Sequence, residues 1–223
     1  MSSEREDAMR EEMTERDLKE RIALIETMIA EGRRSMERWG WVFVLWGVAY
    51  YVAIAWANWG TGLVVFGSRA AIASGVHSEL AWPVTMFAGA ALTLAIGLRR
   101  GREKTATMLG RAVTSVWIGI GLSMLVVFPA LGFSGRMDEH SFVALVTAML
   151  GAANAGSGLI LRWRMQLACA VVWWAASVAA CVGTVAQATV VFLAAVFLCQ
   201  IVFGVYAMVR ESRRARQGGM AHA

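Results

Sequence analysis

Residues 190–198 read Val-Val-Phe-Leu-Ala-Ala-Val-Phe-Leu, a run without a single polar side chain. The run lies inside a longer apolar segment, 188–209, that contains no Asp, Glu, Lys or Arg. A helix needs about 20 mostly apolar residues to cross a bilayer. A strand of a membrane β-barrel would alternate apolar and polar residues, and this run does not alternate. The segment therefore predicts a transmembrane α-helix.

Five further segments pass the same test and are also free of Asp, Glu, Lys and Arg. They are 39–58, 81–98, 112–131, 141–161 and 165–184. Across all 223 residues, 58% are apolar and 17% are charged, whereas soluble domains carry about 25% charged residues. This composition excludes a disordered protein, a basic nucleic-acid-binding domain and an ordinary cytosolic enzyme. The predicted fold class is all-α, a polytopic membrane protein with six transmembrane helices that form a bundle over 39–209.

The charged residues are concentrated at the N terminus and at the ends of the spans. Residues 1–38 hold 19 of the 37 Asp, Glu, Lys and Arg residues. Of the basic residues near span ends, 14 fall on one side of the predicted membrane, and only Arg69 and Arg136 fall on the other. Because cytoplasmic loops carry an excess of Lys and Arg, both termini are predicted to be cytosolic. The same bias explains the basic tail 210–223, so nucleic acid is not predicted as a partner.

The charged N-terminal segment carries a helical pattern of its own. Thr14 and Asp17 have the spacing of a helix N-cap, and the acidic residues 1–13, which lack an apolar period, are predicted to be a flexible tail. Over residues 14–38 the sequence predicts an amphipathic cytosolic helix. Apolar residues recur there in steps of four and three, which is the spacing of a heptad seam. A glycine interrupts this seam, which consists of Leu18, Ile22, Ile25, Ile29, Gly32, Met36 and Trp39.

An apolar stripe of this length needs a partner, because each buried Ile or Leu is worth about 1.5–3 kcal/mol. Three partners remain open: the membrane surface or the protein's own loops, a second copy in a coiled coil, and a soluble protein. Residues 14–38 hold six basic and six acidic residues, and a purely electrostatic membrane anchor would be more basic. The balance favours protein contact, either a homo-oligomer or a soluble regulator. The predicted partner-binding residues are Leu18, Ile22, Ile25, Ile29 and Met36.

The end of this helix and the start of the first span resemble a known group of proteins. Residues 25–34, Ile-Glu-Thr-Met-Ile-Ala-Glu-Gly-Arg-Arg, and residues 39–47, Trp-Gly-Trp-Val-Phe-Val-Leu-Trp-Gly, are similar to bacterial six-span membrane proteins of the acidobacterial type. The resemblance covers roughly residues 18–50. Such proteins are often encoded beside winged-helix transcriptional regulators, and the group has no established activity. The resemblance implies a bacterial inner-membrane protein whose cytosolic helix works alongside a regulator.

The spans hold no Asp, Glu, His, Lys or Arg. Ion-coupled transporters usually carry such groups within the membrane, and membrane enzymes need acid–base, nucleophilic or metal groups near the bilayer. The sequence therefore predicts no enzyme activity, no cofactor and no metal site. The remaining candidates are aromatic and amide side chains, which can either bridge neighbouring helices or line a cavity for a neutral, lipophilic ligand. They are Trp46, Trp117, Asn154, Trp173, Trp174 and Gln200.

Two functions follow as hypotheses. The first is a non-enzymatic membrane regulator or sensor whose cytosolic helix binds a partner or itself. The alternative is a channel or exporter for a small neutral or amphiphilic solute, suggested by the tryptophan and amide residues inside the spans.

Overall fold

Nearly every residue of the chain for which the structure gives a conformation is helical. The structure, a computed structural model, describes residues 2–57, 76–101, 108–136 and 138–220, and it contains no strand within them. Between α7 and α8 the chain winds through a π-helical turn, Phe197–Val202, so these two helices form one continuous rod. The helices are α1 Ser2–Arg38, α2 Gly40–Ala57, α3 Val76–Gly101, α4 Met108–Phe133, α5 Glu139–Ile160, α6 Arg164–Val182, α7 Val185–Val196 and α8 Phe203–Met220.

Six of these helical segments are long and apolar enough to cross a membrane, so the predicted number of spans is confirmed. Each coincides with a predicted segment, although several are longer. Residue 58, at the end of the first predicted span, lies outside the described residues. The last span runs on to Arg214 because Arg, Glu and Ala are good helix formers that do not end a helix. The spans are Gly40–Ala57, Leu80–Arg99, Met108–Phe133, His140–Ile160, Arg164–Val182 and Val185–Arg214.

Helices α5 and α6 form a closely packed antiparallel pair. The hydroxyl of Ser177 donates to the carbonyl oxygen of Ala144 at 2.8 Å, one of the hydrogen bonds that cross between the two helices. A Cβ added at Gly158 would lie 2.9 Å from the side chain of Leu167, so glycine permits the close approach. This pair supplies much of the buried core. Its large side chains, together with those of α7, include Val146, Leu161, Trp173, Phe192 and Val196.

Helix α4 packs on α5 but leaves most of its surface uncovered. Leu122, Leu125 and Val126 are more than half exposed, and Val113 is the buried residue of this helix. A helix that turns so many apolar side chains outward suits a lipid environment, in which those side chains need no protein cover. The outward face of α4 therefore agrees with a position at the edge of a membrane bundle.

Helix α1 begins at Ser2, well before the start that the Thr14 N-cap pattern predicts. Residues 2–13, predicted as a tail, are rich in Glu, Arg, Met and Ala, which have high helix propensity and extend the helix backwards. Asp17 and Arg21, four residues apart on α1, form an ion pair with 3.1 Å between carboxylate and guanidinium. At its other end α1 stops at Arg38, after which Trp39 forms a turn into α2.

The C-terminal part of α1 lies at the end of the bundle where α2, α4 and α6 begin and where α3 and α5 end, while α8 runs on past it to Met220. Trp39 contacts Gly97 near the end of α3, and Gly32 contacts Leu109 at the start of α4. Gly32 also contacts Leu161, the residue at which α5 ends. We call this region the α1 end of the bundle. Alternating spans bring most of the basic residues of the chain to it.

Candidate functional site at the joint between the first and last helices

A buried carboxylate connects α1 to α8. The side chain of Glu37 is 2% exposed. Arg214 donates from Nη1 to its Oε2 at 2.5 Å, and Nε of Arg210 lies 3.3 Å from its Oε1, an ion pair without aligned hydrogen-bond geometry. The two arginines are about two-fifths exposed and stand one helical turn apart. The carboxylate is thus removed from water and compensated by two cations that both belong to the last helix.

Directly beside this ion pair, the backbones of α2 and α8 approach each other closely. A Cβ added at Gly40 would lie 2.8 Å from the carbonyl oxygen of Gly204, and one added at Gly204 would lie 2.7 Å from the carbonyl oxygen of Gly40. Real Cβ atoms do not come this close to backbone, so both positions require glycine. Small residues allow the same close approach between membrane helices in general. The crossing fixes the start of the first span against the last one.

Arg33 connects α1 to the end of α5. Its Nε donates to the carbonyl oxygen of Leu161 and its Nη2 to that of Arg162, both at 2.6 Å. Carbonyl groups at the end of a helix have no partner within the helix, so this guanidinium satisfies two of them. Arg162 has a φ of 49°, the left-handed conformation in which the chain turns from α5 into α6. Arg33 therefore holds α1 against the turn.

We call the six residues of these contacts the α1 joint. They were not among the site residues that the sequence predicts, because Arg210 and Arg214 are accounted for there as ordinary basic residues near a membrane end. The four-residue spacing of the two arginines, and the single glutamate just before the first span, were the available signals. The α1 joint consists of Arg33, Glu37, Gly40, Gly204, Arg210 and Arg214.

The predicted partner-binding seam is divided by its environment. Met36 is buried, Ile29 is half-buried, and both lie in the part of α1 that packs at the α1 end of the bundle. Leu18, Ile22 and Ile25 are between 50% and 58% exposed, so the part of the chain that the structure describes leaves about half of each side chain uncovered. The structure therefore does not bring the five predicted residues into one common environment.

The six residues of the predicted ligand cavity are also distributed over several places. Asn154, Trp173 and Gln200 are buried in the core. The indole N–H of Trp117 donates to the hydroxyl of Ser157 at 2.9 Å, which ties α4 to α5. The other two tryptophans pack over glycines at helix–helix contacts, Trp46 on Gly89 and Trp174 on Gly151, and Trp174 is 44% exposed.

The buried face of α6 carries polar atoms that have no hydrogen-bond partner among the described residues. Both amide atoms of Gln166 and the indole nitrogens of Trp163 and Trp173 are in this state. Gln200 lies in the π-helical turn opposite α2, and a Cβ added at Gly47 would be 3.0 Å from its Cβ. Trp163 and Gln166 are not among the candidate residues that the sequence singles out. Asn154 Oδ1 and Gln200 Oε1 are unpartnered as well.

The side chains of the α1 joint make ion pairs, hydrogen bonds and packing contacts, and these position the helices against one another. Among the described residues no group of three or more His, Cys, Asp or Glu is placed to hold a metal ion. At the exposed start of α5, the backbone N–H of Ser141 donates to Asp138 at 2.7 Å, and this hydrogen bond lowers the pKa of that carboxyl group.

Fold and joint together define a class by architecture, a bundle of six long apolar helices with a further helix fixed across one end. Six such helices are compatible with an integral membrane protein. Comparison with known proteins adds no family to this description, since no family model, no curated protein and no solved structure matches the chain.

Proposed function

We propose that this protein is a non-enzymatic regulator or sensor of the bacterial inner membrane, in which the cytosolic helix over residues 14–38 binds a partner protein or a second copy. The bundle receives the signal and α1 delivers it. The observation that carries the proposal is the buried Glu37 with its two arginine partners on α8. The excess of arginine at the α1 end supports the cytosolic position of both termini.

A buried ion pair is a poor choice for stability alone. Desolvating the charges costs nearly as much as their attraction returns, and apolar replacements are often neutral or stabilising. A carboxylate between two guanidinium groups does, however, select one relative position of two helices. On this proposal Glu37 is present to keep α1 in register with α8, so that a movement of the last span changes the position of the cytosolic helix.

The π-helical turn supplies a place where the last span can move. Phe197–Val202 contains one residue more than an α-helical path requires, and such turns occur frequently at functional sites. Returning this turn to α-helical winding would rotate α8 against α7 by about 100°, the angle of one residue. Arg210 and Arg214 would then turn away from Glu37. We propose that a ligand or membrane state acting near the turn is the input.

The partner is proposed from the resemblance of residues 18–50. Proteins of the group that this segment resembles are often encoded beside winged-helix regulators, and a soluble regulator of that kind suits a cytosolic helix with balanced charge. A second copy of the chain is the other partner within the same function.

A photo-crosslinking amino acid at Ile25 tests the proposal in native membranes of full-length protein. The matched control carries the crosslinker at Glu20, an equally exposed residue on the opposite face of α1. We expect a protein adduct at Ile25 that is absent at Glu20 and whose yield changes several-fold in the Glu37→Gln background. Equal adducts at both positions, or a yield that Glu37→Gln leaves unchanged, would overturn the regulator function.

The second candidate, a channel or exporter for a neutral or amphiphilic solute, is favoured by the unpartnered polar atoms of α6. Replacing buried polar groups by apolar ones of similar shape is nearly neutral for stability. Gln166→Leu should therefore leave unfolding unchanged but abolish solute flux into proteoliposomes if these atoms line a path. Flux that persists in Gln166→Leu, or no flux of any candidate solute in the parent protein, would exclude this function.

A further inference from the structure

The direction of α1 can be derived from the contacts of its last turns. Between Gly32 and Glu37 the helix contacts the start of α4, the turn at the end of α5 and the middle of α8. A helix that left the bundle along its long axis would touch only the helices that continue beside it. Because α4 begins and α5 ends at these contacts, a helix that touches both must lie across the α1 end of the bundle.

The position of Gly32 along the axis of the bundle leads to the same conclusion. Gly32 contacts Leu161. Trp163, two residues after Leu161, packs on Phe203 with 5.2 Å between ring centroids. Phe203 packs in turn on Phe43 of the first span at 5.1 Å. Gly32 is eight residues from Gly40, about 12 Å along a helix. Gly32 is nevertheless at the level of the ends of the spans, so α1 runs across the axis of the bundle and not along it.

The exposed apolar side chains continue the face that is already packed. Counting back from Gly32, the seam passes through Ile29, which is half-buried, to Ile25 and Ile22, which are exposed. Steps of three and four keep these residues on one face of a straight helix. The face of α1 that rests on the span ends is therefore the face that emerges beyond the edge of the bundle, directed to the same side.

We infer that this emerging face, Leu18, Ile22 and Ile25, rests on the lipid headgroup region of the bilayer that surrounds the spans. The inference rests on the proposed function, since it takes the six apolar helices to cross a membrane. An amphipathic helix lying in the interface buries its apolar face about 5–10 Å into the headgroup boundary.

The membrane thereby becomes the resting occupant of the surface that the partner needs. A soluble protein or a second copy can take the seam only after α1 lifts from the bilayer. This explains why the α1 joint must move for the signal to be delivered. It also reconciles a seam of coiled-coil spacing with a helix that lies against its own bundle only over its last turns, from Ile29 onward.

The experiment uses the full-length protein in lipid nanodiscs that hold one copy each, made of phosphatidylethanolamine and phosphatidylglycerol. Cys181, which is exposed, is first replaced by Ala so that a single introduced cysteine can carry an environment-sensitive fluorophore. The probe is placed at Ile25 and, as the matched control, at Glu20. We expect brominated lipids to quench the Ile25 probe several-fold more strongly than the Glu20 probe. Because neither a second copy nor a soluble partner is present, lipid alone can produce this difference.

Two further measurements separate the possible results. Ile22→Asp, a substitution at an exposed position, should abolish the quenching at Ile25 while the unfolding temperature stays unchanged. Equal quenching at both positions in single-copy discs would overturn the membrane docking. Shielding of Ile25 that arises only in discs with two copies would overturn it in favour of a coiled coil. Failure of the proposed function is recognised independently, as the absence of a protein adduct at Ile25 that depends on Glu37.

Discussion

The two halves of the heptad seam on α1 share one sequence pattern and have different surroundings. From Met36 back to Ile29 the heptad seam packs at the α1 end of the bundle, whereas from Ile25 back to Leu18 the same seam is about half exposed. Gly32, which interrupts the apolar repeat, lies within the packed part. Its missing side chain leaves room for Leu161, so the apparent flaw in the seam is the point at which the helix meets the bundle. A regular apolar period thus marks a surface that needs cover without telling where that cover comes from.

The largest expected effect is the difference in stability cost between replacing a glutamate in the packed half and one in the exposed half. Glu37→Ala leaves Arg210 and Arg214 without their buried partner, and breaking a buried pair costs about 3–5 kcal/mol. We expect the lower end of this range because both arginines stay partly in water. Glu26→Ala, on the exposed half, should change the free energy of unfolding by less than about 0.5 kcal/mol. Thermal unfolding in nanodiscs measures both, and equal shifts would contradict the division of the helix.

Apolar truncations should follow the same division. Met36 is buried, and replacing a buried methionine by alanine costs about 2 kcal/mol or more. Ile22→Ala in detergent, where half of the side chain is already exposed, should cost less than about 1 kcal/mol. Unfolding of the two variants in the same detergent gives the comparison. If Ile22→Ala were the more costly change, the exposed half would have a protein cover that the structure does not contain.

The crossing of α2 and α8 within the α1 joint should tolerate no added side-chain atom. Gly204→Ala places a Cβ against the backbone of Gly40, which cannot yield as a side chain can, and overpacking of this kind costs about 1–3 kcal/mol. Gly119→Ala on α4 is the matched control, because a Cβ there meets no atom within 4 Å. Alanine in an open helical position is favourable by up to about 1 kcal/mol. Opposite signs in the unfolding temperature are expected, and a stabilised Gly204→Ala would refute the close crossing.

A substitution at Gly32 distinguishes a packed seam from a free one by whether it raises or lowers the stability of the protein. Gly32→Ile completes the heptad repeat and would strengthen a seam that was free to pair. Here its side chain would meet Leu161, and we expect a loss of about 1 kcal/mol, since the leucine side chain can partly move aside. Ala30→Ile, two residues away and exposed, serves as control. Stabilisation by Gly32→Ile would show that α1 is not held at the end of the bundle.

The smallest effect is expected at the opposite end of the bundle, where a carboxylate is exposed rather than buried. The pKa of Asp138 is lowered by the hydrogen bond from the backbone N–H of Ser141. Such a group stabilises the folded state above its ordinary pKa and loses that contribution as the pH falls through the lower folded value. Asp138→Asn keeps the capping oxygen but does not titrate. The parent protein should therefore lose slightly more stability than this variant as the pH is lowered below about 4. Parallel pH profiles of the two would contradict the shift.

The sequence by itself determined the six apolar helices and their alternation, because an apolar run of sufficient length without charge has few structures open to it. It also predicts an amphipathic seam on α1, since helical period depends only on spacing. Several boundaries moved, most of all the start of α1, because propensity extends a helix past a capping signal that nothing else supports.

Only the tertiary structure decided the site. Glu37 is far in the chain from Arg210 and Arg214, and the local sequence shows the spacing of the arginines but not that they pair with this glutamate. Their pairing depends on which spans are neighbours, which a single sequence does not specify. The same holds for the predicted cavity, whose tryptophans pack at separate helix contacts. Sequence determines what each segment must hide from water, but the packing of the segments decides which partner hides it.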